Sequence, residues 1–260
     1  MADLLGPFAP LQLTERVSAR ARNIRIEVRP DGNVLLVIPK RVPRGTAHAF
    51  LKSREEWIRI KLVELKSRAA RVPTHPPLRW DGSDTIPLRG QQLPLRIVLS
   101  RIARPLVRFD HEVSVFCSTA DSVRTELLAQ TLRAALSKLA RNDARSLLES
   151  ESQRLGVSFI GPRIADQKSL WGSCTPDGLI SLNWRLVMAP REALRYVVIH
   201  ELCHRRHLDH SPRFWRLVEK QMDDHVHWRA YLREHGAALH AVLPKAGIEP
   251  PPSGLFDGAL

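Results

Sequence analysis

The sequence predicts an α+β chain in which a β-rich first half with one long helix precedes a mostly helical half that contains a short antiparallel sheet. Three patterns carry this. Ile24, Ile26 and Val28 alternate with polar residues, Pro30-Asp31-Gly32-Asn33 supplies turn chemistry, and Val34 to Ile38 returns as a second apolar run, which together make a β-hairpin. Leu127, Leu128, Leu132, Leu136, Leu139, Leu147 and Leu148 recur at helical spacing between about Ser122 and Leu155. From Leu179 to Leu186, Ile180, Leu182, Trp184 and Leu186 alternate with Ser181, Asn183 and Arg185, the pattern of a half-buried strand.

The remaining elements follow in order. From Thr46 to about Ala70, Phe50, Trp57, Ile58, Leu62 and Leu65 recur with charged residues between them, predicting the long helix of the first half. Leu78 to Phe116 is punctuated by Gly and Pro and holds short β-type runs at Leu95 to Leu99 and Val113 to Phe116. The 122–155 helix is long enough to suggest a kink or two packed pieces. Ala189-Pro190 opens a further helix with Leu194, Val197 and Val198 toward the core, and Ser211-Pro212 opens a last helical region reaching about Leu243. The expected divisions are a flexible start at 1–15, a β-rich region at 16–120, a compact domain at 121–243 and a loose Pro-rich tail at 244–260.

Composition bounds the class. A chain of 260 residues with 43% hydrophobic content can bury one good-sized core or two modest ones. Three cysteines, Cys117, Cys174 and Cys203, are too few and odd in number for a disulfide scaffold. The start MADLLGPFAPLQL lacks the charged and apolar regions of a signal peptide, and no run has the ~18 apolar residues of a membrane span, so a cytoplasmic location without membrane contact is expected. The net charge of +13 is uneven: residues 1–72 carry 15 Lys and Arg against 7 acids, residues 161–260 only 13 against 11. That excess is either a solvated surface or a nucleic-acid contact in the basic N-terminal half, and no aromatic-interleaved basic motif accompanies it.

The chemistry is concentrated in H-E-L-C-H-R-R-H-L-D-H, residues 200 to 210. Residues four apart on a helix differ by about 40° around its axis, so His200 and His204 share a face and can share a metal. Glu201, about 100° round from His200, lies beside such a metal. His210 on a continued helix would point about 120° away from His204, so the helix must stop between them if His210 is to join the site. Asp209 tolerates the left-handed conformation that ends helices, and Ser211-Pro212 starts the next one, which places His210 at a corner. Three imidazole ligands leave zinc a fourth position for water, with a pKa lowered to roughly 7, and Glu201 is placed to act as its general base. Glu219 and Glu234 are alternative third ligands; His210 is preferred for its corner position. Cys203 points about 100° from His204 and reads as a packed helical cysteine.

At this point a resemblance becomes specific. W-G-S-C at 171–174, G-L-I-S-L-N-W-R-L at 178–186, Ala189-Pro190, V-V-I-H-E-L-C-H at 197–204 and H-S-P-R-F-W at 210–215 resemble the YgjP-like metallopeptidase family, itself similar to the SprT-like and WLM minimal zinc peptidases. The arginine-rich first hairpin and the R-E-E-W helix resemble its N-terminal half, so the match runs from about residue 16 to 243. Leu170 departs from the polar or basic residue expected before the tryptophan. The resemblance implies a minimal zincin-like domain at 121–243, with His200, His204 and His210 on zinc and Glu201 as catalytic acid/base.

The substrate is less legible. Zinc peptidases hold extended peptide against a sheet edge, so the 179–186 strand is a candidate platform through Ser181 and Asn183, unless both of its edges are paired. Trp171 is either a cleft wall or core packing, and core packing is the safer reading. His207, about 60° round from His204, is a rim residue. His207, His225, His227, Tyr231 and nearby arginines are candidates to stabilise the oxyanion, though His225 and His227 more often lie at the surface. Peptide or protein is the expected substrate. The alternatives are hydrolysis of nucleotide phosphoanhydrides, which needs a phosphate cradle that Arg205, Arg206 and Arg213 could only partly supply, and a non-catalytic nucleic-acid adaptor.

Overall fold

A computed structural model describes residues 12–28, 33–71 and 77–244, with side chains from 65 to 71 left aside. The tail at 245–260, most of the expected flexible start and the Pro30-Asp31-Gly32 turn lie outside the described residues. Two compact units divide near residue 72, so the basic excess of residues 1–72 belongs to the first of them.

In the first unit, strand β3 (Asn33–Pro39) lies centrally, antiparallel to β2 (Arg25–Val28) and parallel to β1 (Gln12–Ser18). The hairpin read from alternation is therefore present, with β1 added on its other side. Val34, Leu36 and Ile38 form a small core with Ala47 and Leu51 of α1 (Arg44–Ser53) and Ile58 of α2 (Glu55–Arg71). The expected single helix is thus two. Ser53 Oγ donates to the Phe50 carbonyl, and the chain restarts after Arg54 with Glu55 and Glu56 at the positive end of the new helix.

The second unit holds the rest in one core. Strands β4 (Thr85–Leu88), β5 (Gln91–Leu99), β6 (Leu106–Phe109) and β7 (Val113–Cys117) form a sheet in the order β4-β5-β7-β6, with β5 and β7 parallel. Ile86, Leu95, Val113 and Val115 pack into the same cluster as Leu128, Leu136 and Leu148, so the boundary expected at residue 120 falls inside a continuous core. A short turn, α3 (Thr119–Ser122), leads into α4 (Thr125–Leu155), one uninterrupted helix about 46 Å long. The expected kink is absent because no Pro or Gly interrupts 125–155 and Leu128, Leu132, Leu136, Ala140, Ala144 and Leu148 keep one buried face throughout. Gly156, left-handed at φ 62°, closes it, with the Val157 N–H bonding the Ser152 carbonyl.

A second sheet follows in the order β8-β10-β9: β10 (Leu179–Asn183) lies between parallel β8 (Ile160–Ala165) and antiparallel β9 (Gly172–Cys174). The expected strand to Leu186 ends three residues early, because the Asn183 side chain accepts the Arg185 N–H and turns Trp184–Val187 into a 3-10 segment. It is also buried on both faces, not half-buried, with Ile180, Leu182 and Asn183 almost inaccessible. Helices α5 (Arg191–Cys203), α6 (Pro212–Gln221) and α7 (His225–Val242) complete the unit. No described helix is long and apolar enough to cross a membrane.

Candidate metal centre

The centre is assembled on one core helix and the loop behind it. Helix α5 is apolar on nearly every face from Ala193 to Cys203, and a helix of that kind buries every face. It carries His200 and Glu201 inward to 1% and 2% exposure, while His204 is half-buried at its C-terminus and His210 is exposed. The helix stops at His204, where the Arg205 N–H bonds the Leu202 carbonyl and those of Arg206 and His207 bond Cys203, each at 3.0 Å. Asp209 does not end it: the only described non-glycine residues with positive φ are Trp80 and Arg89. Instead the chain is pinned as it leaves the helix. Arg205 donates to the Ser158 and Pro176 carbonyls at 3.1 and 2.7 Å, and Arg206 to the Leu155 carbonyl at 2.5 Å.

His210 then turns back. One ring nitrogen from each of His200, His204 and His210 lies within 4.8 Å of the other two, and the Nε2 atoms of His200 and His210 are 3.0 Å apart. Tetrahedral zinc with Zn–N near 2.0 to 2.1 Å sets its nitrogen ligands about 3.3 Å from one another, so this spacing suits such an ion. His204 Nδ1 is 3.0 Å from the His207 carbonyl, which can only accept; the proton therefore sits on Nδ1 and leaves Nε2 with a lone pair for a metal. Burial, then the neighbouring imidazoles, hold His200 well below its ordinary value. Burial lowers His204 and His210 as well. Neutral imidazole is the form that ligates.

Glu201 contributes the one carboxylate. Burial pushes it up to about 8, and it makes no hydrogen bond among the described residues. It lies against β9 so closely that a Cβ on Gly172 would stand 2.5 Å from Oε1. A cation at the imidazoles favours its ionised form.

Two aromatic side chains that sequence reasoning assigned only to α6 turn out to back the imidazoles. Phe214 stacks on His204 with ring centroids 4.6 Å apart, and Trp215 on His210 at 5.7 Å. Their position just after the third histidine was the available signal. Arg229, with its guanidinium 4.7 Å from the Trp215 centroid, is among the nearby arginines that the sequence offers without singling one out. Tyr196, one turn before His200, was also passed over; its hydroxyl is buried without a hydrogen-bond partner, and desolvation raises its pKa.

The residues expected to meet substrate are differently placed. Trp171 is fully buried, its ring 5.5 Å from that of His240. Asn183 is buried with its amide donating to the Gln167 and Leu170 carbonyls, and Ser181 sits in the same doubly paired strand. The peptide platform expected at Ser181 and Asn183 is therefore corrected: β10 has no free edge, and the edge strand beside Glu201 is β9. His207 acts through its carbonyl on His204. His225 is buried, not at the surface, with Nδ1 3.1 Å from the Met222 carbonyl and its ring stacked 6.0 Å from Trp215. His227 is exposed against Trp228, and Tyr231 is half-buried against His235. Glu219 and Glu234 are not in the cluster.

A family model, the YgjP-like metallopeptidase domain, matches residues 22–235. No curated protein and no solved structure matches the chain.

Proposed function

The chain belongs to the YgjP-like family of metallopeptidase domains, and on that premise we propose that it cleaves peptide bonds with zinc held by His200, His204 and His210 and with Glu201 as the general base. The observation that carries this is the convergence of three neutral imidazoles on one point, with a buried carboxylate next in sequence to the first. An all-imidazole set suits zinc better than the oxygen-seeking magnesium or calcium. Zinc bound there supplies a Lewis acid that polarises a carbonyl and brings the pKa of water to about 7.

The chain's own residues supply the rest. Glu201, free of competing hydrogen bonds among the described residues, takes the proton of the attacking water and passes it to the amide nitrogen as the C–N bond breaks. Gly172 leaves room for that carboxylate. The outer edge of β9, unpaired among the described strands, offers backbone groups to an extended peptide of almost any sequence. The phosphoanhydride alternative loses support because Arg205 and Arg206 spend donors on backbone carbonyls.

The test compares zinc-loaded wild type with Glu201→Gln on unfolded proteins, peptides and nucleoside triphosphates. Wild type should cleave the proteins and peptides, and Glu201→Gln should keep stoichiometric zinc while losing about 100-fold or more in kcat. Cleavage of triphosphates alone would overturn the peptidase reading. Zinc retention with no hydrolysis of any kind would favour the adaptor reading, with the basic first unit as its contact surface.

A further inference from the structure

Arg229 is a cation beside the imidazole cluster that has no acidic partner among the described residues. It lies on α7 one turn after His225, and the two side chains address the same indole: the His225 ring stacks 6.0 Å from Trp215, and the Arg229 guanidinium stands 4.7 Å from its centroid. That indole is 5.7 Å from the His210 ring and 5.8 Å from His200, so a single ring separates the guanidinium from two of the imidazoles. Arg229 is exposed and has no hydrogen bond or ion pair among the described residues. Asp224 and Glu234 each lie five residues from Arg229 in sequence, and Asp224 accepts from the Trp228 indole N–H at 2.7 Å.

A guanidinium laid on an indole has already lost rotamer freedom and keeps its rim of five N–H donors for a planar anion. A dication on neutral imidazoles would be opposed by one carboxylate, Glu201, so an unpaired arginine nearby adds to an excess of positive charge that a substrate anion relieves. We propose that Arg229 binds a carboxylate of the peptide close to the bond that is cut, either the substrate's own C-terminus or an Asp or Glu side chain. The assignment deepens the peptidase reading and rests on it.

Matched synthetic decapeptides test it on the zinc-loaded protein, one pair differing in a free or amidated C-terminus, another in Glu or Gln at the residues flanking the cleaved bond. The carboxylate member of one pair should be preferred about tenfold or more in kcat/KM, through KM, and which pair responds identifies the source of the carboxylate. The preference should fall to near one in Arg229→Gln, survive in part in Arg229→Lys, and stay intact in Arg233→Gln one turn along. The same preference should appear, and be lost with Arg229→Gln, in calorimetric binding of these peptides to zinc-loaded Glu201→Gln protein. Wild type without a preference in cleavage and binding would overturn the proposal. So would an Arg229→Gln protein that slows all peptides equally in kcat with its preference intact, the mark of oxyanion stabilisation. Loss of zinc or of folding in Arg229→Gln, with the preference retained in Arg229→Lys at full strength, would reduce Arg229 to a clamp on Trp215. If wild type bound these peptides but cut none, the peptidase reading would fall and the binding preference would still decide the carboxylate site.

Discussion

Gly172→Ala adds one methyl group where β9 meets Glu201. The new Cβ would stand 2.5 Å from Oε1, 2.8 Å from Cγ and 2.9 Å from Cδ, whereas ordinary contacts begin at 3.4 Å. Relief needs the carboxylate to retreat by about 1 Å, or β9 to yield by as much, and a displacement of that size at a reacting group costs about 100-fold in rate. This corresponds to about 2.7 kcal/mol of lost transition-state stabilisation. Overpacking a filled interior costs stability on the order of 1 to 3 kcal/mol as well. The three atoms nearest the new Cβ all belong to Glu201 and none to an imidazole, so zinc affinity, measured by chelator competition, should stay within a few-fold of wild type while kcat on an unfolded protein falls about 100-fold. A Gly172→Ala protein with wild-type kcat and an unchanged urea midpoint would refute the contact and the placement of the carboxylate it rests on.

Three further outcomes follow from the same geometry. Purified protein should hold stoichiometric zinc that the His200→Ala, His204→Ala double variant lacks; full occupancy in the double variant would remove the centre from α5. Asn183→Ala should lower stability in urea by about 2 kcal/mol or more, since it orphans the Gln167 and Leu170 carbonyls and uncaps the 3-10 segment, while KM is unchanged; a raised KM at an unchanged midpoint would return Asn183 to the substrate. Burial, then the Arg185 charge, hold His240 down to about 3 against an ordinary 6.5, so the unfolded chain binds a proton that the folded chain refuses as pH falls through that interval. Its contribution is therefore complete above pH 6.5 and is lost on acidification by about 1.4 kcal/mol per pH unit. His240→Leu should flatten the urea stability profile by about that slope between roughly pH 6 and pH 4, and parallel profiles would contradict it.

What the sequence made legible was what neighbours along the chain determine. His200 and His204 are one helical turn apart, so their convergence could be argued from spacing, while that of His210 needed a helix break and the family resemblance beside it. The cause of the interruption could not, because it lies in Arg205 and Arg206 reaching carbonyls at 155, 158 and 176. Alternation gave the right composition for β10 but not its place, since a strand buried on both faces by neighbouring layers and one half-exposed can share a pattern of apolar residues. Which strand is an edge is a property of pairing, and pairing is not local. The first-half helix was read as continuous because Phe50, Trp57 and Ile58 fit one period across Arg54, and periodicity does not register a break that preserves the face.

The three imidazoles are also oriented in two different ways. His204 has the backbone acceptor that metal-binding histidines commonly use, whereas His200 Nδ1 is buried without a hydrogen bond, and His210 rests against Trp215. Packing fixes the latter two. The third imidazole and the rings that stack on two of the three arise from one short stretch, because Pro212 starts α6 directly after the corner and brings Phe214 and Trp215 back over His204 and His210. Exposure rises from His200 through His204 to His210, and Glu201 is buried with His200. On the proposed peptidase reading, a substrate approaches from the side of His210, where α7 presents Arg229, and reaches Glu201 along the border formed by β9. The same reading assigns specificity to two elements, an edge strand and a distant helix, that flank the motif in space and not in sequence.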